Sequence, residues 1–143
     1  MGNYVPTAAT VVAQPGATIV PGFAGAAIAA GDWVYLDTAT NTYKLAQANS
    51  AAASKAAGIA LNSAPGVGQP VDICTAGLVS VTMTPTPTAR IPLVLSGGTA
   101  GRGADAADLI TNIATWFPCF LGIFQTTSLL FIGQTPGPVY TGV

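Results

Sequence analysis

The chain contains no histidine and no glutamate, and only 6% of its 143 residues are charged, against roughly 25% in an ordinary soluble domain. The missing imidazole excludes Ser-His-Asp and Cys-His nucleophiles, His-ligated zinc and the usual proton shuttle near neutral pH. Four Lys/Arg, at positions 44, 55, 90 and 102, are too few and too scattered to neutralise a run of phosphates, so no nucleic-acid partner is expected. The five Asp leave a net charge of −1, and no short loop gathers the several carboxylates that calcium needs. Cys74 and Cys119 are the only cysteines. Both lie in apolar runs, Val71-Asp-Ile-Cys74 and Phe117-Pro-Cys-Phe120, which favours buried small hydrophobes over a disulfide or a metal pair. No catalytic, cofactor or metal residue is assigned, and the chain is not expected to be an enzyme.

Other motifs weigh in the same direction. Gly97-Gly-Thr-Ala-Gly-Arg-Gly103 lacks the Gly-Lys-Ser/Thr ending of a phosphate-binding loop and reads as a turn. Asp105 and Asp108 read as helix-start or turn charges, and Asp32 and Asp37 mark the ends of a strand. Trp33 and Trp116 suit a core better than a stacking platform.

What is present is apolar and punctuated. Half of the residues are hydrophobic, and 17 Gly and 11 Pro are spread along the length. Such spacing breaks long helices and leaves short runs rich in Val, Ile, Thr, Leu and aromatics. The expectation is an all-β fold, a small β-barrel or sandwich. Two uncharged stretches, 1–31 and 109–143, raise the question of a membrane span. The first is broken by Pro15, Gly16, Pro21, Gly22 and Gly25. The second carries Pro118 and the polar tetrad Gln125-Thr-Thr-Ser128, with no flanking cation. Phe120–Phe124 and Leu129–Ile132 around that tetrad read as a β-hairpin. No basic region precedes the apolar start, so no signal peptide is read there and a protein made in the cytoplasm is expected.

Residues 1–30 read as an extended N-terminal arm lying along a surface, its own or a neighbour's. A β domain follows over 31–133, and 134–143 reads as an extended tail. In the domain, strands are expected at Asp32–Asp37, Tyr43–Ala46, Ala57–Leu61, Gln69–Cys74 and Gly77–Thr82, with Thr84-Pro-Thr-Pro-Thr88 as a break. The order then repeats loosely. Ile91–Leu95 stands for Trp33–Leu36, Ala104–Leu109 for Leu45–Asn49, Phe120-Leu-Gly-Ile-Phe124 for Ala57-Gly-Ile-Ala-Leu61, and Leu129–Ile132 for the strand around Ile73. The domain is thus read as a degenerate internal duplication with modules at about 31–83 and 90–133. So little charge cannot cover the surface of a lone small domain, which implies that much of it is buried against other protein.

Gly31-Asp-Trp-Val-Tyr-Leu-Asp-Thr38, Tyr43-Lys-Leu-Ala46, Ala57-Gly-Ile-Ala-Leu61, Gln69-Pro-Val-Asp-Ile73 and Gly77-Leu-Val-Ser-Val81 together resemble the capsid decoration (cement) proteins of tailed bacteriophages. The resemblance spans about residues 22–83, with a looser echo from 90 to 133. It implies a virion protein that binds the outer surface of the phage capsid, has the major capsid protein as partner, often forms a homotrimer and stabilises the shell. It carries no catalytic residue. On this reading, deleting residues 1–30 leaves a folded domain that no longer binds capsids. The alternatives are a self-assembling viral coat, tail or fibre component, and a glycan-binding module using Trp33, Trp116 and the tyrosines.

Overall fold

Short apolar runs punctuated by Gly, Pro and Asn form antiparallel strands, although those at Thr18–Phe23 and Pro70–Ser80 run through such residues. The computed structural model describes residues 3–133 and is 44% strand against 7% helix, a curled antiparallel half-barrel. In chain order the strands are β1 (Asn3–Pro6), β2 (Val12–Ala13), β3 (Thr18–Phe23), β4 (Trp33–Asp37), β5 (Thr42–Leu45), β6 (Ala56–Ala60), β7 (Pro70–Ser80), β8 (Met83–Thr84), β9 (Pro92–Leu95) and β10 (Gly103–Asp105). A short helix, α1 (Ala106–Thr111), and the hairpin β11 (Phe120–Phe124) and β12 (Leu129–Ile132) complete them. The hairpin pairs Gly122 with Ile132, Ile123 with Phe131 and Phe124 with Leu130. No helix among the described residues is long and apolar enough to cross a membrane.

The two strands expected at 69–74 and 77–82 are one long strand, β7. Gly77 sits at φ +103 with Ala17 packed against it, so glycine is needed there, where β7 changes partners. Its first half pairs with β6 through Ile73 and Cys74, its second half with β12 through Gly77–Ser80. β3 and β2 line its other edge.

A similar strand order recurs in the two halves of the chain. The order is β5-β4-β6-β7 in the first half and β10-β9-β11-β12 in the second. The correspondence reaches single residues. A bulge lies between Ala56 and Gly58 opposite β4, and another between Phe120 and Gly122 opposite β9. Ile59 faces Cys74 as Ile123 faces Phe131. A Cβ on Gly58 would strike the carbonyl oxygen of Cys74, and one on Gly122 that of Phe131. Both glycines are therefore set by the approach of the next strand's backbone. The register corrects the alignment of the second pair by one residue. Since Val34 faces Leu45 and Leu93 faces Asp105, Leu45 corresponds to Asp105 rather than Ala104. The two modules are not independent units, because β7 serves both.

The arm boundary at residue 30 does not describe the molecule. Residues 3–30 are largely extended, but they lie along their own domain. β1 pairs with β10 and β8, β2 and β3 pair with β7, and Tyr4, Val11, Ala24, Ile28 and Ala30 are buried. Pro6 ends β1 and Pro15-Gly16 follow β2, whereas β3 runs through Pro21 and Gly22, and an uncharged segment gains more by covering apolar sheet than by staying in water. The tail at 134–143 lies outside the described residues.

The larger core lies between the two halves. Trp33, Ala56, Ile59 and Cys74 from the first meet Leu93, Leu121, Phe124 and Leu130 from the second. A smaller core lies inside the first half, where Val34, Tyr43, Ala60, Val71 and Ile73 are closed over by Ala24, Ile28 and Ala64. This half closes towards a small barrel. Gly25 N–H donates to the Tyr43 carbonyl at 2.7 Å, joining the end of β3 to β5.

Candidate interaction surfaces

The charged residues are mostly occupied in holding the fold. Asp32 is buried at the start of β4, where it pairs with Arg102 from the β9–β10 turn and accepts the Ala29 backbone N–H at 2.9 Å. It ties the two halves and the N-terminal segment to one carboxylate. Asp37 and Lys44 make a half-buried pair at 2.6 Å across the β4–β5 hairpin. The hydrogen bond from Lys44 holds the Asp37 carboxyl below its ordinary value. Asp105 caps α1, accepting the Asp108 N–H at 3.2 Å, as expected of a helix-start charge.

The glycine-rich stretch is the β9–β10 turn. The buried Ser96 hydroxyl oxygen accepts from the N–H groups of Gly98 at 3.1 Å and Thr99 at 3.2 Å. Trp116 stacks against Gly97 so closely that a Cβ there would clash with its ring, and Gln47 Nε2 donates to the Gly97 carbonyl at 2.9 Å. These amides are committed to the protein and do not form a phosphate cradle. Both cysteines are free and buried, and burial pushes both thiols above their ordinary value. Among the described residues no three of His, Cys, Asp and Glu come together in a cluster able to hold a metal ion.

Trp33 is buried in the main core, and Trp116 is half-buried against it. Tyr4 and Tyr43 are buried. Burial, with the nearby Asp105 and Asp108, raises the Tyr4 hydroxyl pKa. A glycan surface built on Trp33 and these tyrosines is therefore corrected, because their rings are spent on packing.

What the surface offers instead is apolar. The first such region is β3, where Ile19, Val20 and Phe23 are exposed. Among the described strands β3 pairs only with β7. The barrel seam closes at Ala24 and Gly25, where Ala24 N–H goes to Gln69 and Gly25 N–H to Tyr43. Alternation back along the strand puts Phe23 and Pro21 on the β5 side. Pro21, having no N–H, blunts the open edge against strand addition, so side chains rather than backbone must make any contact here.

The second region is the outer face of the second half. Phe120, Ile123 and Phe131 are exposed there. Beside them runs an apolar groove of about 320 Å³ between α1 and β11, lined by Val94, Leu109, Ile110, Ile113, Pro118 and Phe120. Sequence reasoning anticipated apolar surface buried against other protein and expected it along the arm, where β3 lies, and along the tail, which is outside the described residues; the surface on the hairpin was not anticipated. The missed signal was in the hairpin itself. Phe120, Ile123 and Phe131 occupy the positions of Ala56, Ile59 and Cys74, and two of the three are far larger.

Comparison with known protein families, curated proteins and solved structures finds no match for this chain.

Proposed function

We propose that this chain is a structural virion protein that binds the outer surface of a bacteriophage capsid and stabilises the shell. The observation that carries the reading is the presence of two separate apolar surfaces, around Phe23 on β3 and around Phe131 on β12, on a chain with 6% charged residues. A soluble monomer rarely leaves large apolar patches uncovered, and a body with two such surfaces can bridge two proteins. The sequence resemblance to capsid decoration proteins supplies the partner, the major capsid protein, and the place, the virion surface. The β3 surface is the one we assign to the shell. It is built from the N-terminal segment whose deletion, on the reading from the resemblance, ends capsid binding, and it presents Ile19 and Phe23 on one side of the strand.

The test is co-sedimentation with emptied heads of the phage that encodes the chain. The native protein is expected to pellet with heads and raise their melting temperature. Phe23→Lys is expected to abolish pelleting while leaving the circular dichroism spectrum unchanged. Native protein that ignores heads, or undiminished pelleting of Phe23→Lys, would refute the assignment.

A further inference from the structure

The two halves of the chain pack head to tail. The first half uses the face carrying Ala56, Ile59 and Cys74, and the second half meets it with the opposite face of the equivalent strands, carrying Leu121, Phe124 and Leu130. Repeats stacked this way leave one unmatched face at each end. At the first end, the face bearing Val34, Ala60 and Ile73 is closed by the chain's own Ala24, Ile28 and Ala64. At the second end, the equivalents of Ala56, Ile59 and Cys74 are Phe120, Ile123 and Phe131. The first three are 0% exposed, whereas the second three are 45%, 41% and 45% exposed. Substitution has made this face more apolar than its buried counterpart and left it open.

We propose that this face is covered by a second copy of the chain, pairing the same face of both copies about a two-fold axis. A head-to-tail continuation is blocked, since the complementary face of the next copy is already filled by its own Ala24, Ile28 and Ala64. The open face can therefore meet its own kind, and apolar sheet faces pack face to face at about 10 Å separation with side chains interdigitated. Its central residues, Phe120, Ile123 and Phe131, carry no formal charge; the exposed Arg90, which lines a shallow pocket with Ile123, stands at the rim, where its guanidinium can stay in water. Its size is adequate. Val12, Ile110, Ile113, Phe120, Ile123 and Phe131 are all exposed. Six large apolar side chains, each about half exposed, offer an area on the order of the lower end of specific interfaces, which bury about 600–1,000 Å² per partner. The groove between α1 and Phe120 would receive side chains of the partner at its edge.

This pairing differs from the trimer that the family resemblance implies, and it does not depend on the capsid reading. Sedimentation velocity of the full chain, without heads, decides it. The native protein is expected to run at twice its 14.2 kDa chain mass at micromolar concentration. Ile123→Lys is expected to weaken association at least a hundredfold. The milder Phe131→Ser guards against misfolding and is expected to weaken association at least tenfold, with an unchanged circular dichroism spectrum. Val67→Lys, on an exposed loop away from this face, is expected to leave the mass unaltered. A native monomer at 100 µM, a native trimer, or a dimer that survives both face substitutions would overturn the proposal.

Discussion

Ile28 offers a direct test of whether the first thirty residues belong to the fold. Its side chain is 3% exposed and sits among Val34, Ala60, Val71 and Ile73. Its backbone exchanges two hydrogen bonds with Ala64, at 2.9 and 2.8 Å. Ile28→Ala removes the buried side chain beyond Cβ and leaves a cavity in the smaller core, at a cost of about 3 kcal/mol. For a chain of this size that corresponds to a fall in Tm of about 10 °C. A loosely attached arm would give no change. Removing residues 1–30 altogether should do more. Burial of Tyr4, Val11 and Ile28 is lost, at about 2 kcal/mol each, together with the whole β3–β7 ladder that covers one edge of the long strand. Against a total stability of about 5–15 kcal/mol, the shortened chain is expected to have no cooperative transition. Thermal and urea melts followed by circular dichroism read both outcomes. A truncated chain that melts cooperatively near the native temperature, or an Ile28→Ala change below about 0.5 kcal/mol, would refute the argument.

Two other predictions follow from buried polar and ionisable groups. Asp32→Ala strips the partner from Arg102 and the acceptor from Ala29 N–H, and should cost about 3 kcal/mol in urea unfolding; a loss under 0.5 kcal/mol would mean that the pair is not coupled to the fold. Because burial raises the pKa of the Cys74 and Cys119 thiols, they stay protonated in the folded chain at pH values where the unfolded chain has released its thiol protons. The contribution is fully present below the unfolded thiol pKa of about 8.5 and is lost as pH rises beyond it. The urea midpoint should therefore fall between pH 8 and pH 10, and iodoacetamide should label neither thiol in the native protein at pH 8. Rapid native labelling, or a midpoint indifferent to alkali, would contradict the burial.

The fold class and most strands were legible because each depends on a local pattern. Trp33-Val-Tyr-Leu-Asp37 alternates, Gln125–Ser128 interrupts an apolar run at hairpin length, and Asp105 precedes α1 as a helix cap. The error at β7 was also local. Gly77 signals a break in a strand pattern, and only the packing of Ala17 against it reveals that the strand continues through the irregularity. The misplaced arm had a different origin. Pro15, Pro21 and their neighbouring glycines forbid a helix, but an extended segment can pair with its own sheet or with another protein, and local sequence does not distinguish these partners. That choice rests on Val71 and Ile73, roughly fifty residues away, whose face needs covering.

The interaction surface was hidden for a related reason. Phe120, Leu121, Ile123 and Phe124 are all large and apolar, so hydrophobicity alone cannot say which pair points outwards. The bulge between Phe120 and Gly122 keeps Phe120 and Ile123 on one face, and Leu121 and Phe124 on the other. Comparison with Ala56, Ala57, Ile59 and Ala60 then tells the faces apart. In the first half, Ala56 and Ile59 join the core between the halves, while Ala60 belongs to the inner core, with Ala57 packed against it. In the second half it is the inner-type face, Leu121 and Phe124, that enters the shared core. A duplicated sheet stacked in one direction must therefore end on the face that its first copy buries. That geometric consequence makes Phe120, Ile123 and Phe131 more informative than an apolar patch of the same size on a chain without a repeat.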